Sequence, residues 1–178
     1  MSRVSRKDWC TAGLGLLRDE GHEALTIDRV ATAIGKSKGS FYHHFEDLSS
    51  FHAALLATWE EELTERPIAQ ADAAARRRAA RLDEVVLGLD HALDRAVRAW
   101  ANADARAKDA VVRVDERRIA YLAGIHREAG HRDARTLAEL EYAAFVGFEH
   151  LDILTTEKAE KLGRKLRRAL AMLGGGGT

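Results

Sequence analysis

A chain of 178 residues, 46% hydrophobic and 31% charged, can bury one good-sized core or two small ones, and its 28 basic and 28 acidic side chains cancel, which excludes coating nucleic acid by bulk attraction. A single cysteine, Cys10, excludes an internal disulfide and any cysteine-based zinc cluster, and no stretch approaches the ~20 apolar residues that span a bilayer. One proline, abundant Ala, Leu, Arg and Glu, and no strand pattern predict a nearly all-α protein, assigned to the cytoplasm because no apolar signal core opens the chain, and with no cofactor or metal expected.

Arg3, Arg6 and Lys7 read as a flexible basic arm, followed by a helix whose apolar residues include Trp9, Ala12, Leu16 and Leu17, with Cys10 on the buried side. Residues 26 to 45, TIDRVATAIGKSKGSFYHHF, then predict two short helices joined by a tight turn, a helix-turn-helix. In the first, Ile27, Val30, Ala31 and Ile34 recur at helical spacing, Thr26 stands as N-cap, Asp28 sits near the positive helix end, and Gly35 closes it. Ser37 caps the second. There Phe41 and Phe45 face inward, while Lys38, Ser40, Tyr42, His43 and His44 show on the other side. A glycine at position 39 costs about 1 kcal/mol against alanine inside a helix, which suggests a close approach to a phosphate. In such a helix Tyr42 can bond a phosphate while its ring touches a thymine methyl or sugar, and His43 can reach a phosphate or a base edge. The local charge is nonetheless balanced, with Arg3, Arg6, Lys7, Arg18, Arg29, Lys36 and Lys38 set against Asp8, Asp19, Glu20, Glu23, Asp28, Glu46 and Asp47.

A fourth helix is predicted from about Leu48 to Glu65, broken by Pro67 and followed by an Ala/Arg-rich junction from Ala69 to Arg81, whose Arg76, Arg77 and Arg78 read as a solvated face. Leu82, Val85, Val86, Leu89, Leu93, Val97 and Trp100 form a stripe for one long helix from Leu82 to Ala101. A short connector helix over 102–109 and a helix over 110–129, closed by Gly130, come next. Asp133 is the expected N-cap of a helix to about Leu154, and the last helix runs from about Glu157 to Leu173, ahead of a disordered Gly-rich tail over 174–178. The apolar faces of these last two helices, carrying Leu151, Leu162, Leu166 and Leu170 as candidate interface residues, are as wide as a symmetric dimer requires, a single interior face being the alternative.

GKSKGSFYHHF resembles the turn and recognition helix of the tetracycline-repressor (TetR) family of bacterial transcriptional regulators, and the match extends upstream through Trp9, Ala12, Leu16, Leu17, Asp19-Glu20-Gly21 and Ala24-Leu25-Thr26, and downstream to Phe51, Ala54, Leu55 and Trp59. The resemblance covers roughly Lys7 to Leu56. Two positions depart from the family's pattern: Lys36 stands where a small apolar residue usually packs the turn, and Leu48 where a lysine commonly reaches a phosphate. The resemblance implies an N-terminal helix-turn-helix domain over 1–47 and a helical effector-binding and dimerisation domain over 48–173. It further implies a homodimer on double-stranded DNA, with Thr26, Lys36, Lys38, Gly39, Ser40, Tyr42 and His43 as contact residues, and a repressor released by a small lipophilic or aromatic effector. His91, Trp100, Tyr121 and Phe148 are the candidate effector-binding residues, bulky or polar-tipped side chains on the C-terminal helices.

An enzyme is not expected. His126 and His131 are five apart, where a zinc-binding HExxH needs four, and Glu149, His150 and Asp152 diverge by about 100° each around a helix. The alternative regulator is a DNA-binding protein with no small-molecule ligand, controlled by a protein partner.

Overall fold

The computed structural model describes residues 4–151 and 156–174, and the elements among them are helical. In chain order they are α1 (Arg6–Glu20), a 3-10 turn (His22–Ala24), α2 (Ile27–Ala33), α3 (Lys38–Tyr42), α4 (Leu48–Glu60), a π turn (Glu61–Glu65) and α5 (Arg66–Asp72). After a 3-10 turn (Ala75–Arg77) come α6 (Arg78–Leu87), α7 (His91–Trp100), α8 (Ala105–Glu128), α9 (Ala134–His150) and α10 (Thr156–Gly174). Residues 175–178 of the expected tail, and Asp152, lie outside the described residues; Gly174 is the last residue of α10.

The boundaries follow local chemistry. Ser5 and Asp8 form a capping box, the Ser5 side chain accepting from the Asp8 amide and the Asp8 carboxylate from the Ser5 amide, so Arg6 and Lys7 belong to α1 rather than to a flexible arm. The expected helix over 82–101 is two helices: α6 ends at Gly88, and the Asp90 carboxylate accepts the Leu93 amide at 3.1 Å to start α7. Pro67 does not end the helix: α4, the π turn and α5 run on without a break, and Pro67 directly follows the π turn, whose wider register returns the Arg66 amide to the Glu61 carbonyl. The connector helix expected over 102–109 is a turn and the start of α8, set by the Asp104 carboxylate accepting the Arg106 and Ala107 amides at 2.8 and 3.0 Å. Asp133 precedes α9 without a side-chain cap bond, its backbone carbonyl accepting from Leu137 at 3.0 Å instead.

Two compact units result, Met1–Arg66 with Asp90–Val112, and Pro67–Leu89 with Arg113–Thr178. In the first, α1 packs on α2, α4 and α7. Its centre is aromatic: Phe41 touches Trp9, Phe45 and Phe51 at ring separations of 5.4, 5.1 and 5.4 Å. All four rings are buried, which removes most of their apolar area from water and ties α1, the end of the helix-turn-helix and α4 into one core. Gly13 of α1 is there because α4 comes so close that a Cβ would stand 2.6 Å from the Phe51 ring and 2.8 Å from Leu55. Asp94, 2% exposed, accepts from Trp59 Nε1 at 3.1 Å and Arg98 Nε at 3.0 Å, so its buried charge is compensated.

In the second unit Ile68, Ala71 and Tyr121 form a small core with Leu82 and Ile125 at its edge, and α9 packs on α10. Buried polar ring groups find carboxylate partners here. Tyr121 donates to Asp72 at 2.6 Å, Tyr142 to Asp115 at 2.6 Å, and His126 bonds Glu141 at 2.8 Å. Burial, followed by the bond to Asp72, pushes the Tyr121 hydroxyl up to about 12.

Candidate nucleic-acid interface

The chemistry of the site begins at two helix N-termini. Thr26 Oγ1 accepts the Arg29 amide at 3.3 Å as the N-cap of α2, and the Ser37 hydroxyl accepts the Ser40 amide at 3.2 Å as the N-cap of α3. Between them Gly35 takes φ 63°, a left-handed conformation open to glycine, and the Lys36 amide donates to the Ala31 carbonyl at 2.9 Å. The turn is therefore closed by backbone hydrogen bonds, and the exposed Lys36 side chain does not replace a small apolar packing residue.

Phe41 and Phe45 anchor the recognition segment inward, while Tyr42 is 56% exposed and His43 is exposed beside it. α3 is shorter than expected, ending at Tyr42, with His43 as C-cap. His44 departs from the outward set: its ring is half-buried, 6.3 Å from Trp9. Ser40 is half-buried, and Gly39 has open space around it, the nearest neighbour of an added Cβ being Ser37 Oγ at 3.7 Å, so nothing within the subunit demands glycine there. Lys38 donates from Nζ to Asp28 Oδ1 at 2.8 Å, which holds its ammonium above the usual lysine range.

One residue supporting this surface was missed by the pattern of the sequence. Arg6 donates to the His44 carbonyl at 3.1 Å and lies over the Phe45 ring at 4.6 Å, clamping the end of the recognition segment from α1. The Ser5-Arg6-Lys7-Asp8 capping box was the available signal that Arg6 is helical.

The other candidate residues divide between the two units. His91 and Trp100 lie in the first unit, Tyr121 and Phe148 in the second. Trp100 is buried edge-to-face against His52 at 5.0 Å, and Tyr121 is held by Asp72 beneath Arg78, whose guanidinium is 5.3 Å from the ring centre. Of the interface leucines, Leu151 is 68% exposed, Leu162 and Leu166 are half-buried, and Leu170 is buried within the subunit. His131 lies 5.6 Å from His126, whose Nε2 is engaged by Glu141. No helix among the described residues is long and apolar enough to cross a membrane.

Two capped helices at a glycine turn with an inward aromatic anchor define the class: a helix-turn-helix fold with an additional helical unit. Residues 11–47 match the model of the bacterial regulatory proteins of the tetR family. Solved structures share the fold over nearly the whole chain. A transcriptional regulator from Rhodococcus sp. Rha1 is 20% identical, with 95% of each chain covered and a TM-score of 0.74. Regulatory protein TetR from Rhodobacter sphaeroides is 22% identical, with 93% of this chain and 98% of that one covered and a TM-score of 0.74. The reduced form of NemR from E. coli is 20% identical, with 94% and 95% covered and a TM-score of 0.71. No curated protein matches the chain. The N-terminal segment is therefore similar to the helix-turn-helix of the tetR family of bacterial regulatory proteins.

Proposed function

We propose that this protein is a homodimeric repressor, whose two copies of α3 enter successive major grooves of an operator and are withdrawn when a small molecule binds. The observation that carries the DNA contact is the exposed Tyr42, whose ring stands edge-to-face 5.6 Å from the fully buried Phe41, with the exposed His43 beside it. Thr26, Lys36, Lys38, Gly39 and Ser40 complete the contact set, the hydroxyl and ammonium groups on phosphates and the open Cα of Gly39 allowing close approach. Functionally the chain divides at 47/48, with residues 1–47 reading DNA and 48–173 carrying dimerisation and effector binding.

The dimer forms through α9 and α10, supported by the exposed Leu151 and half-buried Leu162 and Leu166; Leu170, buried in the subunit, serves the core of that unit. Two-fold symmetry then sets the half-sites about 34 to 36 Å apart, one turn of B-DNA. Release requires an effector with different affinities for the two separations of the recognition helices. A weakly polar aromatic or lipophilic compound is the proposed signal, and since the four candidate side chains fall in different units, Trp100 fluorescence is the direct reporter for it.

Duplexes selected from a random pool by the wild-type protein test the reading. Tyr42→Ala and His43→Ala keep the fold and weaken binding to the selected duplex, with relaxed sequence choice and a cost of about 1 to 3 kcal/mol for a lost base contact. Unchanged affinity in the double variant refutes α3 as the reading element.

A further inference from the structure

Exposed Lys7 and Lys36 aside, the described cations of the helix-turn-helix region are engaged within the chain. Among the described residues of the helix-turn-helix, Arg18 pairs with Asp19 and Asp90, Arg29 with Glu20, and Arg6 is engaged by the His44 carbonyl and the Phe45 ring. Lys38, the first residue of α3, is held by Asp28, ten positions earlier in the first turn of α2. The pair spans the two helices of the motif on its outer side, at 2.8 Å, with side-chain exposures of 60% for Lys38 and 69% for Asp28. Such an open ion pair is weak and exchanges partners readily. Its acceptor is a carboxylate, the nearest chemical analogue of a phosphate oxygen that a protein can supply.

We propose that Asp28 is an internal stand-in for DNA phosphate, occupying the Lys38 ammonium in the free protein and displaced from it when α3 meets the DNA backbone. The Lys38 contact then exchanges one anion for another, so it adds less affinity than an unpaired lysine. The displaced carboxylate also stays on the same surface, where it repels the DNA backbone. Asp28 thus lowers affinity for all DNA and flattens its salt dependence, leaving Tyr42 and His43 a larger share of operator binding. This rests on α3 being the DNA-reading helix and adds a competitor built into the motif.

Fluorescence anisotropy between 50 and 200 mM salt tests it, using a random-sequence duplex and a duplex selected by the wild-type protein. Asp28→Asn tightens both duplexes about two- to five-fold, the range expected when an exposed ion pair no longer has to be broken. The salt slope steepens by up to ~0.9, the contribution of one phosphate, which over this fourfold salt range is about a 3.5-fold larger loss of affinity. In the double variant Asp28→Asn/Lys38→Ala the gain disappears. Circular dichroism controls for folding, and Asp28→Ser, a residue tolerated in a first helical turn, repeats the measurement should the asparagine variant unfold. Unchanged or weaker binding by a folded Asp28 variant overturns the proposal, as does a gain that persists without Lys38. If instead Tyr42→Ala and His43→Ala leave the selected duplex unaffected, the fault lies in the assignment of α3.

Discussion

Two glycines of α1, two residues apart, should respond to the same substitution with opposite sign. Gly13 faces α4, where an added Cβ would lie 2.6 Å from Phe51 Cζ and 2.8 Å from Leu55 Cδ2, and both side chains are fully buried. Neither can swing away into solvent, so α1 and α4 must part by several tenths of an ångström, an overpacking cost of about 1 to 3 kcal/mol. Alanine recovers about 1 kcal/mol of helix propensity, leaving a net loss of roughly 0 to 2 kcal/mol. Gly15 has nothing within 4 Å of an added Cβ, so Gly15→Ala keeps the propensity gain of about 1 kcal/mol without the clash. For a chain of this size each kcal/mol moves the melting temperature by about 2 to 4 °C, which places Gly15→Ala above wild type and Gly13→Ala below it. Thermal and urea unfolding give the ranking directly. Because Phe51 packs edge-on against Phe41, 5.4 Å away, Gly13→Ala should also weaken operator binding without altering any DNA-facing side chain. A Gly13→Ala protein as stable as Gly15→Ala would refute the close approach of α1 and α4.

His52 of α4 bonds the Leu25 carbonyl at 3.3 Å, and burial, the largest influence, pulls its imidazole below the ordinary histidine range. The folded state therefore prefers the neutral ring: the stabilisation is complete above about pH 6.5 and declines as pH falls below it, and His52→Gln should flatten that part of the urea-midpoint profile between pH 5 and 8, an unaltered profile counting against it. Leu151→Asp, at a position 68% exposed in the subunit, should keep the helical circular dichroism of the subunit yet shift sedimentation from dimer to monomer and lower the melting temperature accordingly. A wild-type protein that sediments as a folded monomer at micromolar concentration would remove the proposed interface.

Short-range chemistry was legible before any coordinates. Thr26 and Ser37 cap the helices they were expected to cap, Gly35 makes the turn, and Phe41 and Phe45 point inward from a helix whose period could be counted. These features depend on groups within about four residues of one another, the reach of one helical turn, so residue type and spacing suffice to specify them. The same range explains the errors. A continuous apolar stripe from Leu82 to Trp100 hid a break, because Gly88 and the Asp90 cap compete locally with a periodicity that is blind to both. Pro67 carried a strong signal to stop, yet the helix runs on through it, with a π turn immediately before it.

What the sequence by itself determined is the helical class, the helix-turn-helix and the outward Tyr42 and His43. Only the tertiary structure decided that Gly13 sits under Phe51, that Arg6 reaches 38 positions to the His44 carbonyl, that Trp59 donates to Asp94 35 positions away, and that Lys38 is held by Asp28. Such pairs have no period. Which arginine meets which carbonyl, and which lysine is already occupied by a carboxylate, depends on how helices distant in the chain are brought side by side, and that is set by the burial of the aromatic core as a whole.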